Sequence, residues 1–302
     1  MPLRHDMRRG VLLMLAACAV FTLMSALIKA LDNRFHVAEI MFFRSALAVP
    51  VVLMVVARAH PGRAVWQALR TKRFPGHLVR AATGTTAQAC SFFSLALLPL
   101  AEHTALTNTT PLFVTLLSIP FLGEKVGIHR AGAVLLGFLG IVVIALGQGA
   151  FSGGLEAAAQ IGVIVAVLQG VFSAGTTLMV RTLSATEAST TITLWQSLLM
   201  TAFAAVFLPF FWVTPSWWEL GVLILVGVLG GAAQVMLTEA WASAEVSALS
   251  PYTYSSLLWA ILFGWIAFGD VPGLATIAGA LLIVIASLYI LHRELVRRRR
   301  RP

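Results

Sequence analysis

The side chains of this chain best able to do chemistry lie inside long apolar runs. Gln88, Asn108, Gln169 and Gln234 each interrupt a hydrophobic stretch, and Arg44 puts a guanidinium into another. A polar group in hydrocarbon is costly and has to face a cavity or a partner helix, so these residues trace either a solute path or interhelical hydrogen bonds. Taken one at a time, each fits both readings. A second group, Ser250-Pro251-Tyr252-Thr253-Tyr254 followed by Trp259 and Trp265, offers an aromatic wall with hydroxyl tips. Rings of this kind stack on flat metabolites and attract cations, although they also pack against lipid, the better account of Trp217 and Trp218. Glu239, just before Trp241, is the acid with the best claim to a coupling role; a solvated helix-end carboxylate is the simpler account of it. Pro111 and Pro251 fall within the first turns of two expected helices, where they free backbone carbonyls for a ligand or merely kink the helix.

Enzyme chemistry leaves no comparable trace. The histidines at positions 5, 36, 60, 77, 103, 129 and 292 lie in loops or at the ends of apolar runs without metal-ligand spacing, and no nucleophile and base fall together. No metal, no cofactor and no catalytic residue is expected. Cys18 and Cys90, both in apolar segments, read as structural thiols. Leu15-Ala16-Ala17-Cys18 has the look of a lipoprotein cleavage site, but apolar sequence continues past Cys18, so the first segment is expected to be a retained helix.

The elements that must position these groups follow from composition. With 59% hydrophobic and 11% charged residues the chain cannot be covered by water, and its charges collect between apolar stretches about as long as a bilayer-crossing helix. Ten spans are expected, near 11–30, 40–57, 79–99, 104–122, 131–147, 159–180, 190–213, 219–240, 247–268 and 273–291. The net charge of +9 invites a nucleic-acid partner, but the basic residues flank the spans instead. Placing both termini in the cytoplasm puts 18 of the 21 Lys and Arg residues inside, the asymmetry of a multi-pass membrane protein. The basic loop from Arg58 to Arg80 reads as a topogenic loop with an interfacial helix around Trp66 to Leu69.

The spans repeat. Ala101-Glu102-His103-Thr104-Ala105-Leu106 matches Ala244-Glu245-Val246-Ser247-Ala248-Leu249, Gly123-Glu124 matches Gly269-Asp270, Phe43-Arg44-Ser45 matches Trp195-Gln196-Ser197, and Val20-Phe21-Thr22 matches Val171-Phe172-Ser173. Five helices per unit is odd, so the second copy has to enter the membrane inverted. The expected fold is an all-α integral membrane protein of two inverted five-helix repeats, 10–147 and 159–291, with a basic cytoplasmic tail at 292–302.

The arginine early in the second span, the Pro111-Leu112-Phe113-Val114-Thr115 stretch ending in Gly123-Glu124, and the Tyr254 to Asp270 counterpart resemble the drug/metabolite transporter superfamily, in chains with two EamA-type domains. Phe42-Phe43-Arg44-Ser45 and Gly230-Gly231-Ala232-Ala233-Gln234 look closest to the branch with S-adenosylmethionine and riboflavin carriers. The resemblance implies alternating access without ATP, with a central cavity lined by spans 1, 3, 4, 6, 8 and 9. Gln88, Asn108, Gln234, Tyr252, Tyr254 and Trp259 are then the expected substrate-binding residues, and Arg44, Gln196, Pro111 and Pro251 structural ones. Arg44 is expected to act as a clamp on Asp32, Glu39 or Glu102. The function expected is transport of a small amphiphilic or aromatic metabolite by a monomer in the lipid bilayer of the bacterial inner membrane. A channel, and after it a membrane-embedded enzyme, are the alternatives.

Overall fold

In the computed structural model, residues 7–31, 34–59, 69–122, 128–147, 157–187, 189–243 and 249–299 are described, and among them every regular element is helical. The helices are α1 (Met7–Ala30), α2 (Val37–Ala59), α3 (Phe74–Leu97), α4 (Leu100–Thr107), α5 (Thr110–Leu122), α6 (Ile128–Gly147), α7 (Ala157–Leu183), α8 (Ser189–Phe211), α9 (Trp217–Ser243), α10 (Ser255–Phe268) and α11 (Leu274–Arg299). A 3₁₀ turn, Ser250–Tyr254, leads into α10. Six of these helices, α1, α2, α7, α8, α9 and α11, are long and apolar enough to cross a membrane by length and composition. Large apolar side chains such as Ile128, Phe210, Val271 and Leu274 stand mostly exposed on the outside of the bundle, as a lipid-facing surface requires.

The fourth expected span, 104–122, starts earlier and is broken. It runs as α4 and α5, with Asn108 and Thr109 between them. Pro111 is the cause: it has no N–H to give the Thr107 carbonyl, and the Thr110 hydroxyl donates to that oxygen instead at 3.0 Å. The Thr109 hydroxyl likewise donates to the Leu106 carbonyl at 2.6 Å. Pro111 thus stands in the first turn of α5, at a break inside the expected span rather than at its start. Gly269, at φ 69°, ends α10 in the left-handed conformation, its N–H reaching the Trp265 carbonyl at 3.0 Å. The Gly123-Glu124 half of that motif, Ala244 to Ala248 of another, and Trp66 of the expected interfacial helix lie outside the described residues.

The broadest helix pairings are α3 with α7, α1 with α9, α2 with α8, and α6 with α11. Exchanging first-half helices for their second-half counterparts turns α1–α9 into α7–α3 and returns α2–α8 and α6–α11 to themselves. Small residues allow these approaches. A Cβ on Gly140 of α6 would stand 2.7 Å from the Gly279 carbonyl oxygen of α11, and a Cβ on Gly279 2.6 Å from that of Gly140, so the two backbones touch. The largest apolar core gathers Met24, Ile28, Met41, Phe92, Leu95 and Leu223 from α1, α2, α3 and α9.

A polar cavity between α2, α8 and α9

Arg44 projects from α2 about 10 Å along the helix from Val37, and Gln196 lies equally far into antiparallel α8. Between them and α9 is a cavity of about 30 Å³, room for one or two water molecules. Its polar lining is Arg44, Ser45, Thr193, Gln196, Ser197 and Gln234. Glycines lie against both side chains: a Cβ on Gly230, which lines the cavity, would stand 3.5 Å from Arg44 Nε, and a Cβ on Gly84 of α3 would stand 3.5 Å from Gln196 Nε2, both ordinary contact distances. Each glycine precedes a glutamine by four residues, Gly84-Gln88 and Gly230-Gln234. This is a further correspondence between the halves, carried by Gly84-Ala87-Gln88 and Gly230-Ala233-Gln234.

The carboxylates expected around Arg44 are engaged elsewhere or lie outside the described residues. Glu39 Oε2 accepts from the Val213 N–H at 3.2 Å, Glu102 Oε1 accepts from the Thr276 hydroxyl at 2.8 Å, and Asp32 is not described. Among the described residues no acceptor meets Arg44 Nε, and no ion pair includes Arg44. An arginine at a helix centre costs about 2.5–3.5 kcal/mol on membrane-insertion scales, and at about 10 Å into α2 a guanidinium with no counter-charge among the described residues still calls for explanation.

Asn108, freed by the break after α4, donates from Nδ2 to Ser256 Oγ of α10 at 3.3 Å, joining the two halves. Trp259 stacks on Phe263, centroids 5.9 Å apart, and packs on Met14, Cys18 and Leu249. Tyr254 is half-buried and Tyr252 is 37% exposed, its carbonyl beside Cys18 Sγ at 3.9 Å. Gln88 is half-buried on α3. Pro251 lies at the start of the 3₁₀ turn. Glu239 pairs with Arg9 at 3.1 Å where both side chains are well exposed, which is the solvated helix-end arrangement. The cavity therefore brings together Arg44, Gln196 and Gln234, and leaves Tyr252, Tyr254, Trp259, Asn108 and Glu239 apart from it.

Sequence reading passed over several buried polar groups near the α3–α4 junction. His103 is 5% exposed, with Nδ1 2.7 Å from Ser94 Oγ and Nε2 3.5 Å from Ser91 Oγ. Lys29 donates to the Leu98 carbonyl at 3.0 Å and pairs with Asp270 at 3.4 Å, tying α1 to the end of α10. The ends of the bundle are also fastened. On one, Glu187 accepts from the Thr71 hydroxyl at 2.7 Å and lies 3.6 Å from His77, while Trp195 Nε1 donates to the Leu69 carbonyl at 3.2 Å. On the other, Arg34 pairs with Glu219 at 2.6 Å and His36 stacks on Phe211 at 3.9 Å. Among the described residues no cluster of three His, Cys, Asp or Glu side chains is arranged to hold a metal.

Known proteins align with this arrangement over its whole length. The EamA-like transporter family matches residues 8–146 and again 160–292. The pseudopaline exporter CntI of Pseudomonas aeruginosa strain UCBPP-PA14 is 30% identical over 93% of this chain and 95% of its own length. A riboflavin transporter of Vibrio cholerae is 29% identical over 99% and 98%, and an S-adenosylmethionine uptake transporter of Rickettsia bellii 25% identical over 88% and 87%. A solved crystal structure covering 96% of this chain and 98% of its own shares the fold with a TM-score of 0.66 at 18% identity. Matched in both halves and similar end to end to small-molecule transporters, the chain belongs to the EamA-like transporter family and is a membrane transporter, not an enzyme.

Proposed function

We propose that this protein is a secondary transporter that moves a small organic metabolite, amphiphilic or aromatic, across the bacterial inner membrane by alternating access. The observation that carries this is the exchange symmetry of the helix pairings around a polar cavity deep within the bundle, with polar fastenings at both ends. Such a frame can rock one half on the other about a fixed site. Ten crossings in two inverted units of five, the fourth built from α4 with α5 and the ninth from the 3₁₀ turn with α10, accommodate the two family matches. The loop charges favour cytoplasmic termini. A single chain contains both halves, so a monomer suffices. Gln88, Asn108, Gln234, Tyr252, Tyr254 and Trp259 are the proposed path residues, and pseudopaline, riboflavin and S-adenosylmethionine, named for the relatives, set the scale of the solute. Those relatives include both an exporter and uptake carriers, so the fold serves either direction.

The test is counterflow in liposomes, using solutes first selected by the thermal shift they give the purified protein. A carrier saturates and exchanges internal for external solute; flux that never saturates would make it a channel. Gln88→Ala, Gln234→Ala, Tyr254→Ala and Trp259→Ala should each slow exchange at near-normal expression and monodispersity. Wild-type kinetics in all four would remove the proposed path.

A further inference from the structure

The cavity between α2, α8 and α9 carries one charge among the described residues, that of Arg44, and its other polar groups are neutral hydroxyls and carboxamides. Arg44 Nε has no protein acceptor among the described residues, and neither does the hydroxyl of Ser45, which is only 2% exposed. Gln196 Nε2 finds only the Met200 sulfur, at 3.5 Å, a weak acceptor. Among the described residues no carboxylate lines the cavity. An arginine keeps its charge in proteins, so a positive charge with no counter-charge among the described residues borders a space the size of one or two water molecules, with Ser45 and Gln196 beside it. That space is too small for an aromatic ring and suits the head of an anion.

We propose that this cavity is an anion subsite that takes the carboxylate of the transported solute, with Arg44 as its counter-charge and Ser45 and Gln196 as further donors. The inference rests on the transporter reading above and adds the substrate class to it. A carboxylate accepts two parallel hydrogen bonds from a guanidinium, a geometry that a carboxamide matches at only one oxygen and without charge. The pseudo-equivalent side of the cavity carries Gln196 against Gly84 where the first half carries Arg44 against Gly230, so a single charge is available and a single carboxylate is expected. Charge compensation by water alone would leave the site indifferent to the charge of the solute.

The test uses the purified full-length protein in detergent, with indole-3-acetate against indole-3-acetamide, phenylacetate against phenylacetamide, and nicotinate against nicotinamide. Charge-assisted hydrogen bonds predict that the acids stabilise the protein at about ten- to hundredfold lower concentration than their amides. Arg44→Gln, the residue of the second half, should bring the acids to the level of the amides and leave the amides unchanged, and Arg44→Lys should fall between. Ser45→Ala should weaken the acids alone, and together with the wild-type comparison it decides the matter if Arg44→Gln does not fold. The proposal is overturned if acid and amide act alike on wild type, if the preference survives in Arg44→Gln, or if no acid stabilises at millimolar concentration. It is also overturned if chloride, replacing gluconate in the buffer, stabilises as strongly as the acids, since the cavity then takes an inorganic ion. Acids and amides that counterflow equally would leave the transporter standing without this subsite; acids that bind through Arg44 but never exchange would do the reverse.

Discussion

Gly140 and Gly132 share one helix and differ in what faces them. A Cβ on Gly140 would meet the Gly279 carbonyl oxygen at 2.7 Å, and backbone cannot swing aside as a flexible side chain can. Nothing lies within 4 Å of a Cβ on Gly132. Gly140→Ala should therefore cost about 1–3 kcal/mol in overpacking and lower the melting temperature. Gly132→Ala should leave it unchanged or raise it slightly, because alanine is the better helix former. Equal melting temperatures for the two variants would mean that α6 and α11 do not touch at Gly140. Arg44 shows the limit of sequence reading at this scale. Its position inside an apolar run was plain, and so were three acids within reach by sequence, but which acid is already engaged depends on the Val213 N–H and the Thr276 hydroxyl, far away in the chain.

The stretch from Leu69 to Phe74 and the turn from Ser184 to Glu187 meet at one end of the bundle, where the Glu187 carboxylate accepts from Thr71 and Lys72 and Arg73 donates to the Thr186 hydroxyl at 3.4 Å. Burial pushes the Glu187 carboxyl up, but the hydrogen bonds from the Thr71 hydroxyl and the Lys72 N–H and the charge of His77 outweigh it, and the net direction is down from the ordinary glutamate value. A carboxylate lowered by folding stabilises above its unfolded pKa, and that contribution is lost as pH falls through the folded value. The difference in melting temperature between wild type and Glu187→Gln should thus shrink below about pH 4. A difference that does not change with pH would show that the charge of Glu187 contributes nothing. The helices themselves were legible as apolar runs, within a few residues at most ends. The break after α4 was not placed, although Asn108-Thr109-Thr110-Pro111 contains its cause, because proline often sits harmlessly near a helix start and only the register of the whole span puts this one in the middle. Nor was the pairing of Gly84-Gln88 with Gly230-Gln234, since three small or common residues in five rarely stand out until the contacts of Gly84 with Gln196 and of Gly230 with Arg44 link them.

At the scale of the molecule, everything proposed depends on the second half being inserted upside down. The loop from α2 to α3 and the loop from α8 to α9 occupy equivalent places in the two halves, so a parallel repeat puts them on the same side of the membrane and an inverted one on opposite sides. From α3 through α8 the proposed topology has five crossings, with α4 and α5 as one, and the odd number demands opposite sides. Arg70 and Thr214 are exposed positions in these loops. In a background with Cys18 and Cys90 replaced, Thr214→Cys should react with a membrane-impermeant maleimide on intact cells, and Arg70→Cys only after permeabilisation. The loop charges set the direction, because Arg70, Lys72 and Arg73 crowd one loop while the residues 212–216 of the other carry no charge. Labelling of Arg70→Cys alone on intact cells would keep the inversion but reverse the orientation. Labelling of both from the same side would end the inverted repeat, and with it the reading of Arg44 and Gln196 as two-fold mates across one cavity.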